Sequence, residues 1–340
     1  MRIAGDRRLW FGLEHSEMNF ADRLIAAMRH RGNAVSVGID PRPECMPPGL
    51  LDRFPASRAG VAGAFEEFGR GVVDAVAGLV PVVKFQAAFY EVYGPEGFAA
   101  LHASVRYAHQ AGLVVILDGK RNDIGTTAEA YARAYLGEVE VGGQTEALWD
   151  ADALTVNPYL GSDGIEPFAR LGAESGKGAF VLVRTSNASA VEFQDLVADG
   201  RPLYRHVAER LANWAAPDRG ALGYSSIGAV VGATCPEQLA ELRAALPGII
   251  FLVPGYGAQG GSAQDVALAF DANGLGAIIN SARGVGFAYR RPALRDRFGD
   301  DWQASVAHAA QEMIDDLAAQ TPAGRLTGRP APMAGAAGGT

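Results

Sequence analysis

Eight short apolar, β-branched runs recur along the chain, at 35–40, 82–85, 114–118, 153–156, 179–183, 227–231, 249–253 and 277–280. Most are continuous hydrophobic stretches rather than alternating ones, which is how strands covered on both faces read. Helical patterns lie between them, among them 64–79, 95–111, 127–136, 203–214, 236–246 and 263–270, and Thr234-Cys-Pro-Glu237 has the spacing of a capping box. Eight strands alternating with helices over about 250–300 residues is the arithmetic of an α/β protein with a (β/α)8 TIM-barrel fold. An open doubly wound sheet is the alternative, but it would place GxGxxG after the first strand and none stands there.

No Pro/Ser-rich linker interrupts the series, so one domain is expected over residues 18–320, with the first amphipathic helix beginning near Met18-Asn-Phe-Ala-Asp. Residues 1–17 read as an N-terminal extension. Residues 321–340 are small and Pro/Gly-rich without apolar periodicity, and a disordered tail is expected there. The stretches 137–150 and 187–223 are long for barrel crossovers and read as lids or surface decoration.

Composition removes several classes. With 49% hydrophobic and 20% charged residues the chain can bury a sizeable core. A net charge of −8 argues against a nucleic-acid partner, whose phosphates call for clustered Lys and Arg. No apolar run reaches the roughly 18 residues of a membrane span and the N-terminus lacks a signal-peptide core, so no membrane partner and a cytoplasmic location are expected. Cys45 and Cys235 form no CxxC and have no His cluster nearby, which leaves no expected metal site and reads both as small packing residues. Only three of the 30 basic residues are lysines, Lys84, Lys120 and Lys177.

In a parallel barrel the active site forms at the C-terminal ends of the strands. Asp40 ends the first run, Lys84 lies in the second, and the third ends in Asp118-Gly-Lys120-Arg-Asn-Asp123-Ile-Gly125-Thr-Thr127. Alternation along a strand puts Asp118 and Lys120 on one face, with Lys84 on the adjacent strand. Rim salt bridges would explain any one such pair. Four alternating charges at strand ends fit that explanation poorly, because desolvation costs several kcal/mol per buried ion. Mutual support keeps each ion charged, and an ammonium so held is ready to donate a proton. The seventh run leads into Pro254-Gly-Tyr-Gly-Ala-Gln259-Gly-Gly and the eighth into Asn280-Ser-Ala-Arg283-Gly284. The loops after the last two barrel strands frequently form a phosphate site, to which Arg283 adds a bidentate donor and Gln259 an amide. Lys177, before the fifth run, falls at the opposite rim and reads as a solvated surface residue.

These segments resemble, in order, the orotidine 5′-phosphate decarboxylase family, and most closely its second, longer bacterial subfamily. The matching stretches are Val37-Gly-Ile-Asp40-Pro, Val83-Lys84-Phe-Gln, the Asp118–Thr127 signature, Asn157-Pro-Tyr-Leu-Gly, Arg184-Thr-Ser-Asn, Pro254-Gly-Tyr-Gly-Ala-Gln-Gly-Gly and Ala282-Arg283-Gly. The resemblance runs from Met18 to about Ala319 and implies a (β/α)8 barrel that decarboxylates orotidine 5′-monophosphate to uridine 5′-monophosphate and CO2 in pyrimidine biosynthesis, without cofactor or metal. It implies a tetrad of Lys84, Asp118, Lys120 and Asp123, with Lys120 as proton donor to C6 and Asp118 beside the scissile carboxylate. It further implies a homodimer with shared sites, in which Asp123 and Thr127 reach into the neighbouring subunit. Asp40 and Lys84 would bind ribose hydroxyls, Ser186 the pyrimidine amide, and Gln259, Arg283 and Gly284 the phosphate region. Asn122 departs from the small residue usual in relatives. Two other readings stay open: a magnesium-dependent phosphosugar decarboxylase or aldolase sharing Asp-x-Lys-x-x-Asp, and a catalytically silent nucleotide-binding barrel.

The residue chemistry agrees with the implied reaction. Loss of CO2 from C6 leaves a carbanion with no adjacent carbonyl, and no pyridoxal, thiamine or metal motif offers an electron sink. Fixed charge must then stabilise the transition state. A lysine suits the donor's place, since a guanidinium with pKa above about 12 would not release a proton.

Overall fold

A computed structural model of the chain describes residues 18–327. Eight parallel strands close into a barrel: β1 (Val35–Ile39), β2 (Val82–Gln86), β3 (Val114–Arg121), β4 (Ala153–Val156), β5 (Gly178–Arg184), β6 (Ile227–Val231), β7 (Phe251–Pro254) and β8 (Ala277–Ser281). Each pairs with its sequence neighbours, and β8 closes on β1 with Ser36 beside Asn280. All eight fall on the apolar runs of the sequence.

The helices follow in order: α1 (Phe20–Arg31), α2 (Arg58–Val76), α3 (Ala87–Glu91), α4 (Gly94–Gln110), α5 (Gly125–Leu136), α6 (Ser162–Ser175), α7 (Leu203–Ala215), α8 (Pro236–Ala245), α9 (Ala263–Ala267), α10 (Arg283–Gly286), α11 (Pro292–Phe298) and α12 (Trp302–Gln320). α1 closes the N-terminal end of the barrel. Asn19 caps it by accepting from the Asp22 N–H, and Gly32 ends it at φ +69°, a conformation that favours glycine. Phe20 is buried edge-on against Phe180 of β5, with ring centroids 5.9 Å apart, and a Cβ at Gly178 would stand 2.3 Å from the Phe20 ring. The Asp22 carboxylate accepts from the Ala221 and Leu222 N–H groups at 2.7 and 3.0 Å. Arg23 pairs with buried Asp152 at 2.8 Å. Burial alone would push that carboxyl up, but Arg23, His109 and the Val115 N–H outweigh it and hold it well below the usual carboxylate range.

Three expectations change. Thr234 does not cap α8: the helix starts at Pro236 with Cys235 at the N-cap position and no side-chain cap bond, so Glu237 sits too early to close a box. A capping box does form at α9, between Ser262 and Asp265. Ordered structure continues past residue 320, since Pro322–Thr327 form 3-10 turns with Thr321 and Ala323 buried; residues 1–17 and 328–340 lie outside those described. Lys177 is half-buried at the N-terminal rim, where its Nζ donates to the Trp149 carbonyl at 3.1 Å and burial lowers its pKa. The two long crossovers resolve into an exposed hairpin, Glu138–Val141 against Gln144–Ala147, and a 3-10 turn with a small hairpin ahead of α7.

Candidate active site

The C-terminal ends of the strands enclose a cleft of about 330 Å³, and Asp40, Lys84, Asp118, Lys120, Ser186, Gln259 and Arg283 all line it. Asp118 is the hub. Its Oδ2 accepts from Lys84 Nζ at 2.8 Å and Gln86 Nε2 at 2.9 Å, and its Oδ1 accepts from Lys120 Nζ at 2.5 Å and Thr155 Oγ1 at 2.9 Å. Burial alone would push the Asp118 carboxyl up, yet the Lys84 and Lys120 ammoniums outweigh it and hold it far below the usual carboxylate range. Lys84 shows the mirror image: burial would lower it, and Asp118 and Asp40 raise it instead. Asp40 goes the other way, raised chiefly by burial and also by Asp118, against Lys84. Its Oδ1 is buried without a hydrogen-bond partner among the described residues.

Lys120 owes its reach to a break in the strand. The pairing of β3 with β4 shifts register between Leu117 and Arg121, and Lys120 takes φ +46°, left-handed and unusual for a residue other than glycine. Its N–H donates to Thr155 Oγ1 at 2.9 Å. Simple alternation along β3 therefore does not apply here; the bulge aims Lys120 at Asp118, with the side chain 45% exposed.

On the far side of the cleft, Ser186 Oγ donates to Gln259 Oε1 at 2.9 Å, joining the loops after β5 and β7. Arg283 and Gly284 open α10 after β8, with the Arg283 guanidinium exposed and its NH2 3.5 Å from the Ala258 carbonyl. Asp123 and Thr127 do not line the cleft. Asp123 Oδ1 accepts from the Ile124 N–H at 2.8 Å, and Thr127 is exposed on α5. Beside the cleft, a hollow of about 480 Å³ reaches from Asp118 and Lys120 to Phe89, Glu91 and Arg121. Asn122 Oδ1 is buried without a hydrogen-bond partner among the described residues.

Sequence reasoning assigned no role to Gln86 or Thr155. The closed barrel brings them in: Gln86 is the register partner of Asp118, and Thr155 lies on the neighbouring strand β4. Ser36 donates to Asn280 Oδ1 at 3.1 Å, a buried pair joining β1 to β8.

Fold and site together define a (β/α)8-barrel enzyme with a carboxylate held between two ammoniums at the mouth of the barrel. The profile of the orotidine 5′-phosphate decarboxylase / HUMPS family matches residues 36–293. The chain belongs to that family. It is 49% identical to the orotidine 5′-phosphate decarboxylase of Rhodopirellula baltica over 302 residues, covering 88% of this chain and 99% of that one. With the Halobacterium salinarum enzyme of the same name it shares 40% identity over 303 residues, 88% and 98% of the two chains. The structure of Leishmania donovani OMP decarboxylase superposes with a TM-score of 0.66 at 32% identity, covering 88% of this chain and 97% of that one.

Proposed function

We propose that this enzyme decarboxylates orotidine 5′-monophosphate to uridine 5′-monophosphate, and that Lys120 delivers the proton to C6. The observation that carries the proposal is the Lys84–Asp118–Lys120 chain of ion pairs, 2.8 and 2.5 Å long, facing the cleft that leads to Gln259 and Arg283. In the proposed step the bond from C6 to the carboxylate breaks, CO2 leaves with no charge, and the electron pair stays on C6. A proton from Lys120 Nζ then neutralises it. The partly exposed lysine regains its proton from water. Because the ammonium is already fixed, little reorganisation is needed as charge develops. Asp118, kept ionised by the Lys84 and Lys120 ammoniums, would lie beside the substrate carboxylate, and repulsion between the two is relieved as CO2 forms.

Asp40, with an unpaired acceptor oxygen, and Lys84 suit ribose hydroxyls. Ser186 suits the pyrimidine amide. Gln259, Arg283 and Gly284 suit the phosphate, a doubly charged group that the exposed Arg283 fork can meet bidentately. Binding energy from that remote phosphate is then available to the transition state.

The working form proposed is a homodimer with shared sites. Asp123 and Thr127 lie outside their own chain's cleft, and the hollow beside Lys120 is open to residues from a second copy. Exposed Val92, Ile124, Tyr159 and Leu160 follow the neighbouring strands β2, β3 and β4 and offer apolar side chains to such a contact. The test is turnover: loss of the substrate's ultraviolet signature with the purified protein in excess chelator, abolished in Lys120→Ala. Dependence on added Mg2+ would point to the phosphosugar chemistry of the wider superfamily instead.

A further inference from the structure

Lys120 cannot hold its place alone. A left-handed residue other than glycine persists only where its surroundings over-determine it, and relaxation to an extended conformation would swing the side chain out of the cleft. On the β4 side two hydrogen bonds fix the bulge, Lys120 N–H to Thr155 Oγ1 at 2.9 Å and Asn157 N–H to the Arg121 carbonyl at 3.0 Å. On the opposite side the pairing of β3 with β2 ends at Gln86 beside Asp118, before the bulge. There the next side chain, Arg121, turns back along the strand. Its NH1 donates to the Gly119 carbonyl at 2.9 Å, Nε and NH2 donate to Tyr135 Oη of α5 at 3.0 and 2.9 Å, and NH2 also pairs with Glu91 of α3. The guanidinium lies 5.3 Å from the Tyr135 ring centroid. It thus spans from the residue before Lys120 to two flanking helices, while making none of the Asp118 contacts.

We propose that Arg121 is a positioning residue for the proton donor: anchored on Glu91 and Tyr135 and clasping the Gly119 carbonyl, it holds the bulge at the end of β3 and so sets where the Lys120 ammonium lies. A lysine at 121 has one point of attachment where the planar fork has several, so the charge alone does not replace it. The role rests on the proposed decarboxylation with Lys120 as donor, but one of its tests does not.

That test uses the scarcity of lysine. With only Lys84, Lys120 and Lys177 in the chain, a spectrum of protein labelled with 13C at lysine Cε holds three signals, assigned by Lys→Arg substitution. In Arg121→Met and in the milder Tyr135→Phe, the Lys120 signal is expected to move most, with a smaller shift at Lys84, which shares Asp118, and the least at Lys177 at the opposite rim. An unmoved Lys120 signal in both folded variants overturns the proposal, whatever the enzyme turns over. In the decarboxylation assay, a misplaced donor should lower kcat by about 100-fold in Arg121→Met with product affinity within about threefold of the parent. Arg121→Lys should recover only part of the loss, and ethylguanidinium should restore Arg121→Met in part. If the parent turns over substrate and Arg121→Met keeps its kcat, or loses product affinity in step with it, Arg121 does not position Lys120. If the parent does not turn over substrate, the functional proposal fails, and the lysine spectrum still decides whether Arg121 sets the position of Lys120.

Discussion

Asp118 and Asp40 both act on Lys84, and burial pushes both carboxyls up, yet their net shifts run in opposite directions. Against burial, the Lys84 and Lys120 ammoniums hold the Asp118 pKa down, so its contribution to stability is present above the unfolded value of about 4 and drains away as pH falls. Asp40 has its pKa raised, which reverses the sign: the native state is favoured below about pH 4, and that advantage is lost as pH rises through the folded value. Asp40→Asn should therefore stabilise the fold at pH 7 by about 1 kcal/mol while weakening substrate binding, and the gain should vanish below about pH 4. Urea unfolding at the two pH values checks it; equal stability of variant and parent at pH 7 would contradict it. Lys120→Ala should lower kcat by at least about 1,000-fold with the fold intact, as read by turnover alongside thermal unfolding. The charged residues of the site were legible because carboxylates and ammoniums are rare at the ends of apolar strands. Gln86 and Thr155 were not, since a neutral hydrogen-bonding residue beside a charge looks the same in sequence as one facing solvent. The left-handed turn at Lys120 was hidden too, because nothing about a lysine announces φ +46°.

The elements were easier to read than their ends. All eight barrel strands follow from hydrophobic runs, because strands buried on both faces leave no room for polar alternation. α6 was not singled out: Pro167 inside it interrupts the helical signal. Thr234 matched a capping box by spacing alone, but Pro236 fixes the first helical position and moves the start of the helix. Two predictions belong here. Phe20→Ala, which unplugs the base of the barrel far from the cleft, should cost about 3–5 kcal/mol in urea unfolding and leave kcat unchanged under native conditions. At the mouth, Gln194 accepts the Thr185 N–H at 2.8 Å and donates to its hydroxyl at 2.7 Å, tying the insertion before α7 to the loop that carries Ser186. Gln194→Ala should raise KM about tenfold with a smaller change in kcat, close to 1.4 kcal/mol of binding. An unchanged KM would show that the insertion does not brace that loop.

For the molecule as a whole, the sheet closes on itself with Ser36 against Asn280, and the ends of eight strands gather chemistry from residues 40 to 283 into one cleft. A chain with net charge −8 nonetheless presents Lys84, Lys120 and Arg283 around that cleft, a local cationic site suited to a small phosphorylated acid. What one chain does not supply is a place for Asp123 and Thr127 in its own site. Mixing Lys120→Ala with Asp123→Ala should regenerate activity, to about a quarter of the parent's at equal amounts, because hybrid dimers carry one intact shared site; no recovery would contradict the shared-site dimer. The most direct test of the whole proposal is the decarboxylation of orotidine 5′-monophosphate by the purified full-length protein in excess chelator, followed by ultraviolet absorbance. The expected result is stoichiometric conversion to uridine 5′-monophosphate and CO2 by the parent and none by Lys120→Ala. Absence of turnover by the folded parent protein, or turnover only with added Mg2+, would contradict it.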